Sequence, residues 1–281
     1  MFLLQQLLPG MLAAVLVSGV FAIVGRLWRA NNWADAVALG IGYASGHAVA
    51  VGWPAFPPSE ATQWLPYFAL AAAVLGVLDV FVRPAGSLRA LIWVACCAGL
   101  LGLLLKPKFQ YGWSIPAGVL WVAGLAAGML VLASSLDAAV RRDSSISSPL
   151  VLTIVTCGTG ATLMLSGSML LGQLAMVLAA ALGATLVVAF LLPKAVEGRG
   201  VVPVSVALLV SLWLCGCFYA DLPVASALLL AVAPFPAFLL IAISEKKLLT
   251  WKDLLLRAGV VAVPVAISVL IAFRASPPLD Y

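Results

Sequence analysis

Residues 222–243 read L-P-V-A-S-A-L-L-L-A-V-A-P-F-P-A-F-L-L-I-A-I. Pro234 and Pro236 remove two backbone donors and clash with the preceding turn, so a helix here must kink or break. In water such a break marks a loop. Here about ten apolar residues continue on each side, enough for the whole stretch to cross a bilayer, with the break near its centre. The next apolar run, 254–273, carries Pro264 at nearly the same depth. Backbone freed from its helix at mid-membrane is tolerated only where protein or a water-filled cavity satisfies it. This hairpin, with Pro234, Phe235, Pro236 and Pro264, is therefore the first candidate for a solute pathway.

The composition agrees with a membrane setting. Of 281 residues, 64% are hydrophobic and 9% charged, with a mean hydropathy of +1.18; a soluble domain carries about 25% charged residues. The runs are continuous, unlike the alternation of a membrane β-strand. An all-α, polytopic transmembrane helix bundle is expected, with the lipid bilayer as its solvent. The basic balance comes from Lys and Arg scattered over many short loops, not from the clustered face that a nucleic-acid partner requires. All five cysteines (Cys96, Cys97, Cys157, Cys215, Cys217) fall within apolar runs, so no loop disulfide framework exists. Cys215-x-Cys217 is not a metal pair, because two residues apart on a helix point about 200° away from each other. The N-terminus has no basic stretch ahead of its apolar run and reads as a retained first span.

At about 20 residues per span, the chain divides into ten: 7–27, 33–51, 64–82, 88–105, 115–136, 149–165, 169–192, 201–219, 222–243 and 254–273. Pro66, Pro116, Pro149, Pro203 and Pro223 sit in first turns, where a missing donor costs little. Ser148 and Asp221 are placed to cap, and Thr250-x-x-Asp253 has capping-box spacing. Trp33, Trp53, Trp64, Trp113 and Trp251 lie at span ends, where interfacial anchors belong. Arg26, Arg29, Arg83, Arg89, Arg141, Arg142, Lys194, Arg199, Lys246, Lys247, Lys252 and Arg257 follow odd-numbered spans. Only Lys106, Lys108 and Arg274 fall on the other side. That bias puts the odd-numbered connections in the cytoplasm and both termini outside it, in a cell (plasma or inner) membrane.

The polar stretch 137–148 separates spans one to five (1–136) from spans six to ten (149–281). Five spans per half make the halves enter from opposite sides, as in inverted-repeat transporters, although no residue-level repeat is evident. The layout resembles that of ten-helix carriers of organic anions, which pair the proline break with polar residues in a partner helix. This chain departs from them, having no asparagine beyond Asn31 and Asn32.

Other constellations are sparse. The second span carries Ala34, Ala38, Gly42, Gly46 and Ala50, a small residue every fourth position, which lets another helix approach and places this span centrally in the bundle. His47, the single histidine, lies on the same span with Tyr43 one turn away, within stacking or hydrogen-bonding reach. An ionisable group inside a span is a functional candidate, though one histidine without a nearby acid is more often structural. Thr153, Thr156, Thr159 and Thr162 with Ser166 give the sixth span a run of hydroxyls, with Thr156 and Thr159 at mid-span. Spaced by three, they wrap round the helix instead of forming one stripe, which favours packing. Asp79 with Arg83, Asp137 with Arg141 and Asp253 with Arg257 have i,i+4 ion-pair spacing at span ends, and Asp35 lies within reach of Arg29. No charged residue sits near the middle of a span, which excludes a voltage sensor or a carboxylate-based ion pump.

No catalytic, cofactor or metal motif is present, so an enzyme is not expected. The expectation is a carrier for a small neutral or largely apolar solute. The alternative is a non-catalytic scaffold or assembly subunit packed on partner membrane proteins.

Overall fold

The computed structural model describes residues 2–28, 33–81, 86–140, 146–192, 200–243 and 251–276. Among these every regular element is a helix, without a strand. The helices are α1 (Phe2–Leu27), α2 (Trp33–Ala50), α3 (Leu65–Phe81, entered through a 3-10 turn at Thr62–Trp64), α4 (Gly86–Leu104), the short α5 (Lys106–Tyr111), α6 (Ile115–Val140), α7 (Ser147–Leu165), α8 (Met169–Leu191), α9 (Val201–Tyr219), α10 (Val224–Val232), α11 (Pro234–Ile243) and α12 (Trp251–Ala275). Seven of them (α1, α3, α6, α7, α8, α9 and α12) are long and apolar enough to cross a membrane. The stretches expected as second, fourth and ninth spans form α2, α4 and the α10–α11 pair, which do not reach that mark. For α2 the reason is composition: Asp35, Gly40, Gly42, Tyr43, Ser45, Gly46 and His47 replace the Leu and Val of a lipid-facing helix.

The small-residue spacing on α2 is answered on α1. Gly10 lies against Ala50, Ala14 against Gly46, Ser18 against Gly42, Ala22 against Ala38 and Gly25 against Ala34. The pairs run in opposite directions along the two helices, so the hairpin is antiparallel with its backbones in close approach. A Cβ added at Gly42 would overlap Ser18 Oγ, and one at Gly46 would lie 2.8 Å from Ala14 Cβ. Ser18 Oγ also donates to the Ala38 carbonyl at 3.1 Å, so the polar atom in the seam is satisfied. The opposite side of α2 packs on α3, α8 and α9.

α2 is enclosed as the small-residue spacing suggested, with only Val49 exposed, and α9 shares the centre of the bundle with it. Residues 201–216 are all buried, and α9 touches α2, α3, α4, α6, α7, α8 and α10. A helix apolar all round is a buried one in water; in a bilayer the same composition also suits a lipid-facing helix. That ambiguity hid α9. Outer helices α1, α6 and α12 expose Leu16, Leu120 and Val263, as lipid-facing surfaces do.

The α7–α8 hairpin turns at Gly167, whose φ of +85° is left-handed and suits glycine. There the Ser168 N–H donates to the Leu163 carbonyl and Gly167 N–H to that of Met164, both at 3.2 Å. Ser168 Oγ then caps α8, accepting from Leu171 N–H at 3.4 Å. Two expected caps do not form. α7 begins two residues early, at Ser147, leaving Ser148 Oγ without a partner, and Pro223 holds the N-cap position of α10 in place of Asp221. Thr250, Arg29, Arg83 and Arg141, on which one cap and three charge pairings were expected, lie outside the described residues.

Candidate functional site

The arm carrying Pro234 and Pro236 is two helices. α10 and α11 meet at Ala233, whose N–H still reaches the Leu229 carbonyl at 2.9 Å. Pro234 then has no N–H to offer the Leu230 carbonyl, and Pro236 none for Val232. The other arm differs: α12 runs through Pro264 as a single helix. One proline removes one bond and leaves its neighbours in place, which bends a helix without dividing it, whereas two prolines two residues apart remove two of three neighbouring bonds, on opposite sides of the helix.

Both halves of the broken arm pack on α7 and α12. Ala233 and Ala237 are fully buried, while Phe235 and Pro236 are half-buried. Ser226 Oγ donates to the Ser268 carbonyl and Ser268 Oγ to the Ser226 carbonyl, each at 3.0 Å and fully buried. This reciprocal pair staples α10 to α12. Across from it, a Cβ at Gly158 of α7 would overlap Val265 and lie 3.5 Å from Leu230. Gly158 thus admits both arms close to α7.

The threonine hydroxyls are spent on their own helix. Thr156 Oγ1 donates to the Leu152 carbonyl at 2.6 Å, Thr159 Oγ1 to Val155 at 2.9 Å and Thr153 Oγ1 to Pro149 at 2.6 Å. Thr162 and Ser166 bond back in the same way. This is the common fate of hydroxyls inside helices. Thr159 Oγ1 also accepts from Trp213 Nε1 of α9 at 2.9 Å, which ties α7 to the central helix. Neither Trp213 nor the Ser226–Ser268 pair was picked out from the sequence. A lone serine in an apolar run carries no spacing signal.

His47 and Tyr43 stand apart from this group. Both are buried, at 1% and 0% exposure, with ring centroids 6.2 Å apart and tilted by 56°. They do not hydrogen-bond to each other: Tyr43 Oη has no hydrogen-bond partner, and the His47 ring nitrogens make no bond of good geometry, with the Gly52 and Thr62 backbone beside the ring. Cys215 of α9 is the electrostatic neighbour of Tyr43. Trp213, two residues away and so about 200° round the helix, faces α7. α9 therefore stands between Tyr43 and His47 on one side and the broken hairpin on the other. Above the α2–α3 connection, Trp53, Phe56, Trp64 and Tyr67 form a cluster of edge-on ring contacts, held by Tyr67 Oη donating to the Pro54 carbonyl at 2.8 Å.

Among the described residues charge lies within about two turns of the helix ends. Arg26 donates to the Leu192 carbonyl at the end of α8, at 2.7 Å, and is also the charge facing the buried Asp35. Arg257, expected in a loop, lies within α12, buried, and donates to Ser147 Oγ at the start of α7. Among the described residues no three His, Cys, Asp or Glu side chains converge as a metal site would require.

A separate feature is an apolar groove of about 390 Å³. α3 and α4 are successive, yet α3 packs on α2 and α9 while α4 packs on α6 and α9. The gap between them is walled by Phe68, Ala72 and Leu75 of α3 and by Trp93, Cys97, Leu100 and Leu103 of α4. Met129 of α6 and Pro203 and Ala207 of α9 lie beneath it. A void of this size, if enclosed and empty, would cost on the order of 9 kcal/mol at ~24 cal/mol per Å³, comparable with the whole stability of a domain. None of the eight residues proposed from the sequence as a solute pathway lines it.

Comparison with protein-family models, curated proteins and solved structures gives no match to this chain. The class therefore rests on the fold: a multi-pass helical membrane bundle.

Proposed function

We propose that this protein is a carrier for a small neutral or largely apolar solute, working as ten spans in two inverted halves. The observation that carries this reading is the broken helix at Ala233–Pro234, packed inside the bundle and stapled to α12. Discontinuous helices at mid-membrane are where carriers hold solutes, and the break gives each half of the arm freedom to tilt separately. The absence of charge from mid-span fits a solute without net charge.

Some packings agree with inverted halves. Exchanging the halves maps the α1–α2 contact onto α7–α8 and α4–α6 onto α10–α12, and leaves α2–α8 and α3–α9 unchanged. The strong α7–α12 packing has no comparable α1–α6 counterpart, so any symmetry is partial.

The test is thiol accessibility in a cysteine-free background. Single cysteines replacing Phe235 and Ala237 are expected to react with a small water-soluble reagent, because a carrier must open the break to water in part of its cycle. A cysteine replacing Leu228, which is exposed on the outer face of α10, is expected to stay inert in the bilayer. If both central positions are inert in the folded protein, the hairpin is a packed kink, and a scaffold becomes the better reading.

A further inference from the structure

We infer that the groove between α3 and α4 is a binding site for one acyl chain of a bilayer phospholipid. This site does not depend on the carrier reading. The lining contains no charged side chain, so water entering it would find too few polar partners to stay. Its walls are helices read as membrane spans, and the exposed rim residues Ala71 and Val74 lie part-way along α3, so the opening is on the flank of the helix, which in a spanning helix faces hydrocarbon. Its shape is linear: on α4 the lining positions run from Trp93 to Leu103, ten residues or about 15 Å along the helix axis. On α3, Phe68, Ala72 and Leu75 recur at helical spacing and face that row.

Helices that follow each other in sequence usually pack together. Here the two diverge, and α9 and α6 form a floor in place of that contact. An extended chain of methylenes fits a long, narrow, uniformly apolar slot, and it supplies the dispersion contacts that an unfilled slot would lack. Cys97 shows the depth of the seat: it lines the groove yet is only 2% exposed.

The experiment uses the full-length protein in phosphatidylcholine vesicles containing a small fraction of phosphatidylcholine with a mid-chain diazirine. After photolysis, lipid adducts are mapped by mass spectrometry. Adducts on Cys96, Cys97 and Leu100 are expected to exceed those on the outward-facing Val263 and Leu270 of α12 by about tenfold, the ratio expected for a modest preferential affinity. Ala71→Trp and Leu103→Trp fill the groove from its two rims. Each is expected to abolish the enrichment while leaving the α12 adducts unchanged, which also reports that the variant is folded and inserted. Equal labelling of groove and outer face in the unaltered protein overturns the proposal, whether or not the variants fold. So does enrichment that survives in a folded filling variant, or replacement of lipid adducts by crosslinks between two copies of the chain.

Discussion

Gly42 and Tyr43 are neighbours on α2 with opposite problems. At Gly42 the α1–α2 seam has no room for a methyl group, since a Cβ would overlap Ser18 Oγ. Overpacking of this kind costs about 1–3 kcal/mol. Gly42→Ala is expected to lower the midpoint of thermal unfolding in detergent, and adding Ser18→Ala to recover part of the loss. Recovery is incomplete because Ser18 Cβ also stands within 2.9 Å of the added atom. At Tyr43 there is room but no partner. A buried polar atom left unbonded costs about 1–3 kcal/mol, so Tyr43→Phe is expected to leave stability unchanged or raise it. A clear loss on that substitution would mean that Oη bonds a bound solute or water, and would move this residue into the working site.

At the scale of single elements, the hairpin of α10, α11 and α12 combines a break with a staple. Interhelical hydrogen bonds in membranes contribute about 0.6 kcal/mol each. Ser226→Ala and Ser268→Ala each remove one bond of the reciprocal pair, so each is expected to cost about that much, and the double variant about twice. A much larger loss in unfolding measurements would show that the two bonds close cooperatively. Pro234→Ala with Pro236→Ala restores donors for the Leu230 and Val232 carbonyls and lets α10 and α11 fuse. The expected result is a more stable protein in which a cysteine at position 235 no longer reacts with water-soluble reagents. What was legible here is instructive. The proline pair announced its break because the loss of a donor is local and independent of surroundings. Pro264 looked equivalent in sequence but leaves α12 continuous. The serine staple was invisible, because its partners are 42 residues apart and each looks like any serine in an apolar run.

Across the whole molecule, helix ends were read to within a few residues, because the change from apolar run to polar connection is abrupt in a chain of this composition. Neighbours were read less well. Close packing betrayed itself where it demands small residues, as on α2, but hydropathy does not separate a helix facing lipid from one facing protein, and so α9 passed unnoticed. The groove beside it was equally hidden, being made of ordinary apolar side chains whose helices merely diverge. Orientation is the remaining whole-chain expectation. With both termini outside the cytoplasm, reporter fusions after Pro107 and after Ser144 are expected to report opposite sides, the first outside and the second inside. Agreement between the two would mean that one stretch taken for a span does not cross.

The burial of α9 has a consequence for biogenesis. A ribosome makes α1 to α8 first, so these helices are laid down before the helix that most of them enclose. Until then α2, α3, α4, α6, α7 and α8 must wait with an unfilled interior, held open or occupied by lipid. α9 is thus a keystone arriving late. Chains released after residue 199 are expected to be degraded quickly or held by membrane chaperones. Supplying 200–281 as a separate polypeptide is expected to rescue them, which pulse-labelling in cells would detect as a lengthened half-life of the first fragment.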